Sequence, residues 1–416
     1  MSNFLIDIRE DKLIEWKDLI EDLNKLNHIN KVISSFSFYE LFMLQIASVL
    51  NESDVILIDP ELKDSEKLNL LGEKDINSLN EKIDRKYIDV KDKSDLVSRL
   101  LQASEASFTL FTSGTTGKPK AVRQSIRNLK KGLVVKDDKK NDIWGYCFHP
   151  THIAGLQVFF QAVMNGNVIV RLFGLNVWEI EEAIKRCNIT HLSATPTFYR
   201  LFLNSSKKFE SVKRVTSGGE KLDNVLLERL KANFPNAQFR NIYASTEFGT
   251  LLVSKGEGFE IPNSLKDKVK IINNELCVHQ SLLGSFVGQG QEVDEWYMTG
   301  DLIEIINENP NLLRFAGRKS DMINVGGMKV NINEVEETIR KVFEVQYVKV
   351  YSKNNSVLGN ILCCDIGSNN PDLDETTIRR KLANHLQEFK IPRLIRFTNE
   401  FHLTKSLKTD RKQLKN

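Results

Sequence analysis

Apolar residues along this chain fall first into isolated islands, then into short runs alternating with amphipathic stretches, and finally into one-in-two alternation. Residues 1–107 are rich in Asp, Lys, Asn and Ser, with apolar islands at 31–49 and 54–59. The run SFSFYELFMLQIASVL predicts a helix opened by a Ser cap, and VILIDP predicts a buried strand stopped by Pro60. FTLF, residues 108–111, predicts another short buried strand. From 140 to 245 strands and single helices take turns. VIVR (168–171) precedes VWEIEEAIKRC, ITHLSA (189–194) precedes PTFYRLFL, and VKRVTS (212–217) precedes a helix over 223–234, after which FRNIYA (239–244) follows. Such alternation predicts parallel strands joined by right-handed crossovers. From about 250 to 318, short alternating runs and Gly-containing turns predict antiparallel strands in a distorted barrel. After Arg318 a small α+β pattern follows: a helix over 333–343 with Asn333 and Glu336 spaced as a capping box, strands over 345–352 and 357–366, a helix over 374–389 and a strand over 393–398. The expected fold is α/β, with a large domain over 1–319 and a small α+β domain over 320–416.

Composition narrows the classes without choosing among them. A chain of 416 residues has material for about two or three domains. Lys+Arg 58 against Asp+Glu 55 leaves +3, too balanced to argue for nucleic acid as a partner. The start carries acids and no long apolar run, so no secretory signal is expected, and no segment approaches the roughly 20 apolar residues of a membrane span. Five cysteines, odd in number and without a C-x-x-C pair, point to reduced thiols in a cytoplasm.

Candidate chemistry gathers at two places. Ligands of open parallel sheets sit beyond the carboxyl ends of the strands. Those ends carry Thr195-Pro196-Thr197, Ser217-Gly218-Gly219-Glu220 and Tyr243-Ala244-Ser245-Thr246-Glu247, so three polar clusters share one rim, the expected active site. The second place follows the FTLF strand: FTSGTTGKPKAV, residues 111–122. Gly114 and Gly117 let backbone N–H groups converge on phosphate oxygens, Thr112, Ser113, Thr115 and Thr116 add hydroxyls, and Lys118 and Lys120 add charge. The stretch departs from the P-loop of nucleotide triphosphatases, since Thr112 stands where that loop needs Gly and Pro119 where it needs Ser or Thr.

Residues 111–122 resemble the phosphate-binding loop of the adenylate-forming (AMP-binding) superfamily of acyl- and aryl-CoA ligases, peptide-synthetase adenylation domains and luciferases. In style the chain is similar to short bacterial acid–CoA ligases such as o-succinylbenzoate–CoA ligase. Further family motifs follow in order. Residues 243–249 are similar to aromatic–Gly–x–Thr–Glu, with Ala244 where Gly is usual. The resemblance implies that Tyr243 stacks on adenine, Thr246 donates to the α-phosphate and Glu247 holds Mg²⁺. Residues 217–220 look like the adenine-binding turn, although a plain Gly-Gly turn after a strand reads the same way. Residues 296–302 resemble Tyr-x-Thr-Gly-Asp, which makes Asp301 the ribose ligand. Residues 317–327 resemble the hinge and the loop beyond it: Arg318 would contact ribose or α-phosphate, Ser320 stands at the hinge position, and Gly326 and Gly327 would let a pantetheine arm pass. His152 matches the His-x-x-Gly residue that flanks the carboxylate pocket. Residues 401–411 align with the lysine loop and place Lys408 at the catalytic lysine, with His402 and Leu407 replacing the usual Pro and Gly; read alone, the stretch is a basic tail.

The resemblance implies stacked parallel-sheet subdomains plus a barrel, a small domain that is mobile, and a two-step reaction. A carboxylate attacks the α-phosphate of MgATP, and a thiol, from CoA or a carrier-protein phosphopantetheine, then releases AMP. The phosphate loop arrives early in this chain, which implies a shortened first subdomain. No acidic residue occurs between Ile143 and Trp178, where amino-acid-activating members keep an Asp, so a non-amino aryl or acyl acid is expected, in a pocket lined by Trp144, Phe148, His152 and Phe198. No carrier or condensation domain is legible, so the thiol is expected from outside. Loading of a separate carrier protein, coupling to an amine, and nucleotide binding without catalysis stay open, as do the particular acid and the oligomeric state.

Overall fold

A computed structural model describes residues 2–73, 76–86, 89–112, 120–202, 207–255, 258–287, 295–308, 311–325, 328–343, 345, 347–355, 359–368, 370 and 373–398. The strand–helix alternation builds the expected parallel sheet. Strands Val168–Arg171, Ile143–Tyr146, His191–Ala194, Arg214–Gly218 and Gln238–Ser245 lie side by side and parallel. Val168–Arg171 is buried along its whole length, which explains the apolar run Val168-Ile169-Val170, while the buried Arg171 is paired with Asp7. A parallel strand that the pattern left unassigned sits beside it: Asn3–Asp7, from the extreme N-terminus, pairs Leu5 with Ile169.

Beyond Gln238–Ser245 the same sheet turns antiparallel. Gly249–Lys255, Gly258–Glu260, Asn311–Arg318, Trp296–Glu308, Glu275–His279 and Val269–Ile272 follow in that spatial order. The antiparallel strands expected over 250–318 thus form an arm that continues the parallel sheet. Ser285–Val287 leaves this arm and pairs with Lys120–Ser125 at the edge of a second, five-stranded sheet, which also holds Ser107–Thr112, Asp54–Leu57 and Val32–Ile33.

Two helices fill the space between the sheets. Phe38–Leu50 starts at Ser37, whose hydroxyl accepts from the Glu40 N–H, as the Ser cap requires. It is apolar nearly all round and buried accordingly. Phe42 stacks on Phe159 of helix Ile153–Val163 at 4.3 Å and meets Tyr146 and Phe4 of the large sheet edge-on at 5.1 and 6.4 Å. Phe160 meets Phe108 of the five-stranded sheet at 5.6 Å.

After the turn Lys319–Asp321 the chain forms a ribbon (Met322–Val325 with Met328–Asn331), helix Ile332–Phe343 and a separate sheet of Tyr347–Asn355, Gly359–Gly367 and Leu394–Phe397. These share their own core, with Val335, Ile339, Val350, Cys364, Ile378 and Leu382 at its centre. Two expectations are corrected here. The helix expected over 374–389 is Glu375–Leu382. The Asn333–Glu336 capping box does not form, because Asn331 caps the helix by accepting from the Asn333 N–H. Asn333 instead donates to Asp321, and Glu336 is buried, accepting from the Val350 N–H and from Arg340. The tertiary partners of Glu336 outcompeted its local cap.

All five cysteines are free thiols. Among the described residues no helix is long and apolar enough to cross a membrane. The enclosed ring of Phe42 generates a stability prediction. Phe42→Ala is expected to destabilise by about 3–5 kcal/mol, whereas Phe36→Ala, at a side chain 71% exposed, stays within about 0.5 kcal/mol. Urea denaturation of the two variants checks it; equal midpoints would contradict this view of the intersheet layer.

Candidate active site

Where the sheet changes from parallel to antiparallel, the strand ends open on a cavity of about 1760 Å³. All three polar clusters of the expected rim reach it: Thr195, the turn Gly218-Gly219-Glu220, and Tyr243 through Glu247. Ser217 is the exception. It is buried and does not line the cavity, because the pleat sends Thr216 and Gly218 to that face and Ser217 to the other. Gly219 takes φ +83, which an L side chain rarely adopts, so the turn depends on glycine. Glu220 accepts from the Thr197 N–H at 3.1 Å and so joins two of the clusters.

The candidate phosphate loop is described only at its ends. Thr112 closes one strand, Lys120 opens the next, the two pair across the ladder, and Lys120 lines the cavity. Ser113, Gly114, Thr115, Thr116, Gly117 and Lys118 lie outside the described residues, as do Gly326, Gly327 and Lys408.

The antiparallel arm supplies the opposite wall. Asp301, 5% exposed, accepts from the Tyr243 hydroxyl at 2.5 Å and from Arg318 Nε at 2.5 Å. Burial first, and then the Asp301 charge, push the Tyr243 hydroxyl well above its usual range, so it remains a donor. Asp301 raises the Arg318 guanidinium against the opposing effect of burial. Tyr243 also stacks on Phe315 at 4.2 Å, so one ring face is already taken. Gly300, at φ +77, donates its N–H to Glu275 at 2.6 Å, and Lys319 pairs with the other oxygen of Glu275. Two acids of the arm, Asp301 and Glu275, therefore each bind a cation from the segment leading to the C-terminal unit.

Thr246 and Glu247 are held by a residue that sequence reasoning missed. Gln124 is 1% exposed, and its Nε2 donates to the carbonyls of Thr246 at 2.7 Å and Glu247 at 3.0 Å. The Gly284 N–H adds a second bond to the Glu247 carbonyl at 2.7 Å. The only signal in the sequence was a polar amide two residues past buried Val122, on the inward face of a strand. Glu247 lines the cavity near Tyr297, whose hydroxyl is pushed up to about 12, by burial first and by the Glu247 carboxylate second. Its carboxylate is of the type that holds a hard cation brought in on phosphate oxygens.

The cavity continues past His152 to an aromatic wall of Phe148 and Trp144. His152 precedes helix Ile153–Val163, its ring 5.8 Å from His149. Phe198, expected in this wall, is packed in the core edge-on to Tyr199 and does not line the cavity.

A family model described as AMP-binding enzyme matches residues 43–276. The 2-succinylbenzoate–CoA ligase of Staphylococcus epidermidis is 25% identical over 351 residues, covering 78% of this chain and 72% of that protein. Bacitracin synthase 3 of Bacillus licheniformis is 23% identical, but this chain, matched over 86% of its length, spans only 6% of the synthase. Among solved structures, the o-succinylbenzoate CoA synthetase of Bacillus subtilis with its acyl-adenylate OSB-AMP superposes with TM-score 0.73 at 20% identity, covering 100% of this chain and 95% of that one. ATP-bound MatB from Rhodopseudomonas palustris gives TM-score 0.73 at 16% identity, covering 97% and 93%. At these identities the superpositions establish the fold.

The anchoring of Thr246 and Glu247 is testable without any ligand. Gln124→Met removes both side-chain bonds and is expected to cost about 1–3 kcal/mol. Amide hydrogen exchange should quicken at residues 245–249 while strand Val168–Arg171 stays protected. Unchanged exchange at 245–249 would mean that Gln124 does not hold this segment.

Proposed function

This chain belongs to the AMP-binding enzyme family, and we propose that it is an ATP-dependent carboxylic acid–thiol ligase that adenylates a non-amino aryl or acyl acid and passes it to the thiol of CoA. One observation carries the reading: a single cavity joins Lys120 at the end of the candidate phosphate loop, Thr246 and Glu247, the Asp301–Arg318 pair, and an aromatic pocket. A nucleotide and an acid fit side by side in that arrangement.

Each group then has a distinct task. Asp301 accepts from the ribose hydroxyls, and the Tyr243 and Arg318 donors keep its carboxylate aimed. Gly218 and Gly219 give the purine a flat backbone edge, and Tyr243 offers the ring face that Phe315 leaves open. Lys120, Thr246 and the loop hydroxyls of residues 112–116 donate to the phosphates. Glu247 would hold Mg²⁺, which would supply charge neutralisation on the phosphate oxygens. His152, Phe148 and Trp144 bound the acid and keep water from its carboxylate. In the first step a carboxylate oxygen attacks the α-phosphorus and pyrophosphate leaves. In the second the thiolate sulfur attacks the carbonyl and AMP leaves. Lys408 is assigned to the first step, and the backbone at Gly326 and Gly327 to passage of the pantetheine arm. Residues 320–416 are assigned the role of a small domain that rotates about Ser320 between steps, consistent with their separate core. Loading of a separate carrier protein instead of CoA keeps the same first step.

The absence of acidic residues over 144–177 makes the substrate class testable. Pyrophosphate release, measured over a panel of carboxylic acids with and without CoA, should occur with an aryl or acyl acid and with none of the proteinogenic amino acids. CoA should accelerate AMP formation with the accepted acid. Release with an α-amino acid would overturn the substrate class, and no release with any acid would overturn the ligase reading. Pyrophosphate release indifferent to CoA would transfer the second step to a carrier protein or an amine.

A further inference from the structure

The inner end of the cavity is closed by side chains from three parallel strands in register. Ser193 pairs with Thr216 and Thr216 with Arg240, while Arg214 lies two residues before Thr216 on the same face. Ser193, Arg214, Thr216, Arg240 and Trp144 all line the cavity here. Arg214 stands four residues before Gly218 and Arg240 three before Tyr243. At about 3.3 Å per residue, roughly 13 Å and 10 Å of strand separate them from the nucleotide rim. They belong to the acid end of the cavity.

Several guanidinium groups of this fold have carboxylate partners. Arg171 has Asp7 at 2.9 Å, Arg200 has Asp223 at 2.7 Å, Arg340 has Glu336 at 3.1 Å and Arg396 has Asp365 at 3.0 Å. Arg214 and Arg240 have none: among the described residues neither forms an ion pair, and Arg214 Nε is buried with no hydrogen-bond partner. Burial lowers the proton affinity of Arg214, and Arg240 lowers it further; Asp142 and Asp138 oppose this through longer-range attraction. The field reaches His191 behind Trp144. Burial, and then Arg214, Lys139, Lys213 and Arg240, hold its imidazole down to about 3, although Asp142 lies 3.3 Å from Nε2. Two half-buried cations facing one pocket without a counterion are an unfavourable arrangement that an anion entering the pocket relieves. An ammonium group there would be repelled.

We propose that the acid activated by this site is a dicarboxylic acid, with one carboxylate at the rim for adenylation and the other held by Arg214 and Arg240. The inference rests on the acid-activating reading of the cavity. Ser193 and Thr216 place hydroxyls in the row of Arg240, able to donate to the second carboxylate. The aromatic wall of Trp144 and Phe148 lies along the skeleton between the two ends.

The test uses pairs of acids that share a skeleton and differ in the far carboxylate: hexanoate against hexanedioate, and phenylacetate against 4-carboxyphenylacetate. Acid-dependent pyrophosphate release is measured with wild type, Arg214→Met, Arg240→Met and Arg240→Lys. A hydrogen-bonded charge pair in a pocket discriminates by about 10–100-fold. The wild type should favour a diacid over its partner by that factor in kcat/KM, each Met variant should erase most of the preference, and Arg240→Lys should retain part of it. Equal or better use of the monoacids, or a preference that survives both Met variants, overturns the proposal. If no acid supports release, the ligase reading has failed, and thermal shift then decides the present inference. Stabilisation by a diacid but not by its monoacid, lost in both Met variants, supports it; equal shifts with the two acids overturn it.

Discussion

Asp301 lies where the antiparallel arm faces the end of the parallel sheet, and its carboxylate accepts from donors on both sides of that junction. Tyr243 belongs to the last parallel strand, and Arg318 is the last strand residue before the turn into the C-terminal unit. A buried carboxylate is tolerated only when its oxygens are satisfied, so this one constrains the strand, the arm and the exit of the chain together. Glu275 repeats the device one strand away, accepting from Gly300 and pairing with Lys319. The cavity depends on this pair of acids, because they fix its arm-side wall against the rim.

On the other side, Gln124 ties the strand that follows the candidate phosphate loop to the carbonyls of Thr246 and Glu247. That strand and the proposed metal ligand come from different sheets, and the buried amide bonds one to the other. Lys221 reaches Glu337 at 2.6 Å across to the helix of the C-terminal unit, a half-exposed pair of the kind worth about 0–1 kcal/mol. A contact that weak suits an element proposed to rotate between two steps, whereas the satisfied acids of the arm suit a wall that stays in place.

Much of the site was legible because its signals are local in the sequence. Strand–helix alternation gives parallel strands, parallel strands carry ligands at one end, and Thr195, Gly218–Glu220 and Tyr243–Glu247 stand at those ends. What could not be read depends on partners far along the chain. Asn3–Asp7 is a polar-flanked pentapeptide that becomes a strand of the large sheet only by pairing with residues 164 positions later. Gln124, Phe198 and Glu336 look respectively like a surface amide, a pocket wall and a cap until their tertiary neighbours are known. Ser217 was placed by motif, and the pleat turned it away. Arg214 and Arg240 carried no motif at all, since what distinguishes them is that two adjacent strands set both on one cavity with no carboxylate partner among the described residues, which only coordinates reveal.

The central claim is that one cavity joins a carboxylate oxygen to the α-phosphorus of ATP before any thiol reacts. The direct measurement is to supply an accepted acid labelled with ¹⁸O in the carboxylate, run the complete reaction with ATP, Mg²⁺ and CoA, and weigh the AMP by mass spectrometry. Adenylation followed by thiol attack on the carbonyl leaves one labelled oxygen on the phosphate of AMP, and the account predicts that mass. Unlabelled AMP, or label recovered in inorganic phosphate alongside ADP, would contradict it.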